Sequence, residues 1–101
     1  MASLPIKYRT AALDELSEAI AWYGERDEKV ANKLRDVVRA KLREVAQSPN
    51  HWPLKPDRTR QIFLGSFPYL LIVRETQGEL ELVAFAHASR KPGYWRNRLR
   101  E

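Results

Sequence analysis

Cysteine is absent from all 101 residues, which excludes disulfides and thiolate metal sites and suits a reducing compartment such as the cytoplasm. The two histidines have no cluster of carboxylates beside them, so no metal centre and no cofactor are expected. Long apolar runs are missing as well. The longest spans only a few residues, far short of a bilayer crossing, and no membrane partner is expected. The opening Met-Ala-Ser-Leu-Pro-Ile-Lys lacks the charged and apolar regions of a secretory signal. With 4 glycines and 6 prolines there is no linker or low-complexity stretch, and a single domain over residues 1–101 is expected.

What the chain has in excess is positive charge, and it sits at one end. The formal net charge is +5. Residues 1–51 hold nine Lys/Arg against eight Asp/Glu, whereas residues 52–101 hold nine against five. Such a bias points to a polyanion or an acidic protein partner; its plainer meaning is a solvated surface.

Leu4, Ile6 and Tyr8 alternate with Pro5, Lys7 and Arg9, the pattern of a short strand, and Pro5 favours an edge or a strand start. Thr10 is expected to cap a first helix, with Asp14 and Glu15 near its first turn and Leu13, Leu16, Ile20 and Tyr23 as its buried stripe. The pattern breaks around residues 24–28. A second helix is predicted over 28–47, burying Val30, Leu34, Val37, Val38, Leu42 and Val45 and ending at Ser48-Pro49. The short link makes the pair an antiparallel hairpin.

A proline-bearing loop over 48–59 leads to three closely spaced strands, predicted over 60–64, 67–74 and 79–87 as an antiparallel meander. The continuous apolar run Tyr69–Val73 suits a strand buried on both faces. In the last strand, Leu80, Leu82, Ala84 and Ala86 are assigned to one face and Val83, Phe85 and His87 to the other. The fold class is α+β, with the hairpin on one sheet face, a short C-terminal tail, and no second layer expected at this size.

Chemistry concentrates after the last strand. His87 stands at its end, with Arg90 three residues on and Tyr94 past the turn. A histidine can move protons at neutral pH and arginines can neutralise a phosphate, so these groups with Arg60 and Arg74 are the inventory of a metal-free ribonuclease. Alternatively, His87 merely ends a strand. Tyr94 and Trp95 either stack on a base or partner, or pin the tail onto the sheet. Trp22, beside the first helix's stripe, is either core edge or an exposed protein-binding aromatic.

Ser66-Phe67-Pro68-Tyr69 before the central strand, and the closing Ala84-Phe85-Ala86-His87-Ala88-Ser89-Arg90-Lys91-Pro92-Gly93-Tyr94-Trp95-Arg96-Asn97-Arg98, resemble the RelE/ParE toxin superfamily of type II toxin–antitoxin modules. The tail is most similar to ParE-type members. The resemblance implies a RelE/ParE-like fold and a bacterial growth inhibitor held in a hetero-oligomer by a cognate antitoxin. The antitoxin would lie beside the helix hairpin, where Leu16, Ile20, Trp22 and Tyr23 are expected to meet it. ParE-type relatives poison DNA gyrase, and a target-binding set of Arg60, Arg74, Arg90, Lys91, Tyr94, Trp95, Arg96 and Arg98 is implied. RelE-type relatives instead cleave mRNA on the ribosome; in that alternative His87, Arg90 and Tyr94 would be catalytic. The middle strands supply only Arg60 and Arg74, no glutamate lies within 58–74 to act as base, and Trp95 and more tail follow Tyr94. These departures favour the gyrase branch.

Overall fold

A three-residue strand, β1 (Ile6–Tyr8), opens the fold, and the chain turns at once into α1 (Thr10–Gly24) and α2 (Glu28–Gln47). A 3₁₀ turn (Pro49–His51) and an irregular loop lead to β2 (Arg60–Phe63), β3 (Tyr69–Thr76) and β4 (Glu79–His87), and a second 3₁₀ segment (Arg96–Arg100) closes the chain. The computed structural model describes residues 3–100; Met1, Ala2 and Glu101, and with them the outer ends of the expected domain, lie outside the described residues.

The strands form one sheet in the order β1-β4-β3-β2. β2, β3 and β4 are the expected meander, and β1 joins its edge parallel to β4, with Ile6 opposite Leu80 and Tyr8 opposite Leu82. The edge position expected from Pro5 holds, and the Pro5 carbonyl accepts from the Leu80 N–H at 2.8 Å. Gln77 (φ 52°) and Gly78 (φ 76°) link β3 to β4 in a two-residue loop with both φ positive, the backbone of a type I′ turn whose twist matches the strands. β3 starts at Tyr69, two residues later than the sequence implies, because Pro68 has no N–H to give a ladder.

α2 covers the expected residues. Leu34, Val38, Leu42 and Val45 are fully or almost fully buried, with Ala31 and Ala46 beside them, and the Asp27 carboxylate caps its N-terminus by accepting from the Lys29 N–H at 2.9 Å. α1 departs from expectation in two ways. Thr10 is already inside the helix; the cap position belongs to Arg9, whose N–H bonds the Leu82 carbonyl and whose carbonyl accepts from Leu13, so one residue ends the strand and begins the helix. The buried centre of α1 is Ala12 and Ala19, whereas Leu13 is 42% exposed. Alanines let α1 lie close to the sheet, and the larger Leu16, Ile20 and Tyr23 pack at its flanks.

A register shift divides β4. Val73 pairs with Leu82 and Ile72 with Ala84, which leaves Val83 as an extra, bulged residue. The bulge slips the side-chain parity. Leu80, Leu82 and Phe85 therefore pack under the helices, while Val83, Ala84 and Ala86 share the opposite face with Ile72. The face assignment drawn from strict alternation thus holds through Val83 and is wrong for Ala84, Phe85 and Ala86. That opposite face is covered by Trp95, Tyr94 and Leu99 of the tail, so the centre of β3 is buried on both faces, as its apolar run implies.

Candidate functional site

β1 is too short to accompany β4 along its whole length. Past Leu82 the chain has left the sheet to begin α1, so the Val83 carbonyl and the Phe85 N–H face the open edge of β4. An edge half-covered by a helix must have its backbone groups satisfied. Two side chains do this: Arg98 donates from Nη1 to the Val83 oxygen at 3.1 Å, and the Phe85 N–H donates to Oε1 of Glu15 at 3.1 Å.

Glu15 is the centre of the arrangement. It belongs to the sheet-facing row Ala12, Glu15, Ala19 of α1, and its side chain is 15% exposed. The Arg98 guanidinium grips it with both ends, Nη1 to Oε1 at 3.0 Å and Nη2 to Oε2 at 3.2 Å. Arg90 Nη1 reaches Oε2 at 3.2 Å, and the Tyr94 hydroxyl donates to Oε2 at 2.6 Å. Arg90 stacks over the Tyr94 ring at 3.7 Å, and Arg98 lies 5.3 Å from it. Burial pushes the Glu15 carboxyl up, but hydrogen bonds from Arg98, Tyr94 and the Phe85 N–H outweigh it and leave the carboxyl below its ordinary range. Burial first, and then the bond to Glu15, push the Tyr94 hydroxyl up to about 12.

Beside this cluster opens a cleft of about 450 Å³, lined by Glu15 and Glu18 of α1, by Trp22, Tyr23, Tyr69 and Phe85, and at its mouth by His87 and Arg90. Tyr69 stacks on Phe85 at 4.4 Å and meets the His87 ring edge-on at 5.1 Å. His87 is exposed, and its Nδ1 lies 3.0 Å from the Ser89 N–H, which donates to it, and 2.7 Å from the Ser89 hydroxyl. These neighbours matter for chemistry. A hydroxyl held near 12 is a poor proton donor at neutral pH, and a carboxylate already accepting five hydrogen bonds is a poor base. The cluster is built for fixed charge and position. Among the described residues no group of His, Asp and Glu is placed to hold a metal ion.

The structure divides the residues expected to meet a target. Arg90, Lys91 and Arg96 are exposed; Arg96 reaches Asp57 at 3.6 Å while most of its side chain stays in solvent. Tyr94 is half-buried and Arg98 is held inward. Trp95 is buried at 4% exposure and packs on Ile72, Val83, Ala84 and Ala86, so it pins the tail. Arg60 is 8% exposed and ties the 48–59 loop to β3 through the Trp52 carbonyl (3.0 Å), Glu75 (3.0 Å) and Asn50 (3.1 Å). Arg74 bonds Glu81 at 2.6 Å and the Leu99 carbonyl at 3.0 Å. Trp95 thus takes the pinning alternative, while Arg60 and Arg74 are held within the scaffold and not on the surface where a target-binding role would place them.

The residues expected to meet an antitoxin fall on two surfaces. Leu16 and Ile20 line a groove of about 230 Å³ with Tyr8, Leu13, Arg35 and Arg39, between the two helices and the end of β1. Trp22 and Tyr23 line the His87 cleft instead; Trp22 is 51% exposed with the Arg26 guanidinium 3.6 Å above its ring. Glu15 was missed as a site residue. Its signal is the row Ala12, Glu15, Ala19, Tyr23 at helical spacing, an acid flanked by small residues on a face that must be covered.

What the fold defines is a class of small α+β proteins in which a helix hairpin packs on one face of a four-stranded mixed sheet. A solved structure described as the chromosomal ParDE TA system from P. aeruginosa has it, with a TM-score of 0.74 at 15% identity over 86% of this chain and 98% of that one. No curated protein matches the sequence. The family model of the ParE toxin of type II toxin–antitoxin system, parDE, matches residues 6–92, and the chain belongs to that family. The match runs from β1 to the turn after β4 and leaves Tyr94, Trp95 and Arg98 beyond it.

Proposed function

We propose that this ParE-family toxin arrests growth by poisoning DNA gyrase in the cytoplasm, through a cationic C-terminal surface made of Arg90, Lys91, Arg96 and the edge of Tyr94. One observation carries the reading: two of the groups a nuclease would use for proton transfer, Tyr94 and Glu15, are locked by one another and by two arginines, which leaves His87 without a free second acid or base in that cluster. What remains outward is positive charge beside an aromatic edge, a surface for a macromolecular partner. Neutralisation is assigned to a cognate antitoxin. Its acidic, amphipathic segment would occupy the groove of Leu13, Leu16 and Ile20, whose basic rim of Arg35 and Arg39 complements it.

The second reading is ribosome-dependent mRNA cleavage. The observation that favours it is that Glu15, His87 and Arg90 border one cleft, which brings an acid and a histidine to the same cavity. A paired assay separates the two: purified protein added to a gyrase supercoiling reaction and to a programmed ribosome carrying labelled mRNA. The proposal expects loss of supercoiling with intact mRNA. Cut mRNA with gyrase untouched would reverse the order, and His87→Ala would then abolish cutting in a folded protein.

A further inference from the structure

α1 and the C-terminal tail meet at one carboxylate. Residues 90, 94 and 98 come from a bend, a turn and the 3₁₀ segment, with no regular ladder to hold them in register. All three converge on Glu15. Arg90 and Arg98 also approach the same phenol ring, at 3.7 and 5.3 Å. Two like charges sharing a ring repel unless a negative charge lies beside them, and Glu15 is the carboxylate bonded to both guanidiniums. It is presented from a helix that packs closely on the sheet, so its position is fixed by the core and not by the tail.

We infer that Glu15 is a positioning residue, holding Arg90, Tyr94 and Arg98 in the arrangement through which the C-terminal segment acts on its target. The inference rests on the reading that this segment makes the contact. Glu15 itself need not touch the target. It neutralises one of the two arginine charges, satisfies the β4 edge at Phe85, and leaves the outer side of Arg90 in solvent with its side chain 54% exposed.

The test is Glu15→Gln in the full chain, a substitution that keeps volume and removes charge. Its readouts are thermal melting, the side-chain N–H resonances of Arg90 and Arg98, and growth arrest under titrated induction at matched soluble protein. The variant should melt cooperatively, lose the dispersed arginine resonances, and fall about tenfold or more in growth arrest, as expected when an anchoring contact is lost. Adding Arg98→Ala should cost little more, because the two changes break one unit. If Glu15→Gln does not fold, Tyr94→Phe removes a single hydroxyl from the same cluster and should shift the same resonances and weaken arrest. Full potency in the folded Glu15→Gln protein, losses that add in full with Arg98→Ala, or full potency of Tyr94→Phe should Glu15→Gln not fold, would overturn the inference. Lys91→Ala and Arg96→Ala, which lie off the carboxylate, separate the two claims. If they weaken arrest and Glu15→Gln does not, the tail remains the contact surface and Glu15 loses its role; if neither weakens it, both readings fall.

Discussion

Arginine serves two ends in this protein, and burial tells them apart. Arg60 satisfies three acceptors under a loop, so Arg60→Ala should destabilise by about 1–3 kcal/mol in urea unfolding, because three part-buried hydrogen bonds and the packing of a buried side chain are lost together. Growth arrest at low temperature should persist in that variant; stability unchanged with arrest abolished would return Arg60 to the contact surface. Glu15 makes a prediction about pH. Its folded-state pKa lies below the ordinary 4.5, so its contribution to stability is present above about pH 4.5 and is lost as pH falls through the folded value. Tyr94 is shifted the other way: its contribution is present below pH 10 and is lost as pH rises toward about 12. Glu15→Gln should therefore flatten the acid limb of the stability curve relative to the parent protein. An identical limb would show that Asp57, also lowered by its Thr59 and Arg96 partners against the opposing effect of burial, dominates acid unfolding instead.

At the scale of elements, periodicity was a good guide where one layer decides burial and a poor one where backbone register does. α2 shows the first case: its apolar residues recur every three or four positions, and the structure buries Leu34, Val38, Leu42 and Val45 in the core and half-buries Val30 and Val37. Leu34→Ala should cost about 2–5 kcal/mol, whereas Leu13→Ala, on the exposed flank of α1, should cost well under half of that; equal costs in denaturant titrations would contradict the packing described. β4 shows the second case. Nothing in Leu82-Val83-Ala84 announces a bulge, since no glycine marks it, yet the bulge moves Phe85 under the helices and turns Ala84 and Ala86 to the tail. Glu15 was hidden for a related reason. An acid near a helix start has a sufficient local explanation in the helix dipole, and only the shortness of β1 three-dimensionally creates the unpaired edge it serves. Arg60 and Arg74 carry in the sequence only their charge and their place on a strand, with no sign of the loop or tail that crosses them.

Taken whole, the molecule is a sheet with a helix hairpin on one side and its own C-terminus on the other. The tail's anchors point inward, through Trp95 to the sheet, through Arg74 to the Leu99 carbonyl, and through Arg98 to Glu15 and Val83. Among the described residues, the charged groups it turns outward are the cations Arg90, Lys91, Arg96 and Arg100. Deleting everything after Pro92 would thus remove a core tryptophan together with the charged surface, and would not separate folding from contact. Point changes at exposed positions do separate them. The most direct measurement is inhibition of purified DNA gyrase by the parent protein and by the Lys91→Ala/Arg96→Ala variant, each shown to melt alike. The account predicts that the parent blocks supercoiling and that the variant needs about tenfold more protein, the scale of losing an electrostatic contact at an interface. Equal inhibition by the two proteins would contradict it.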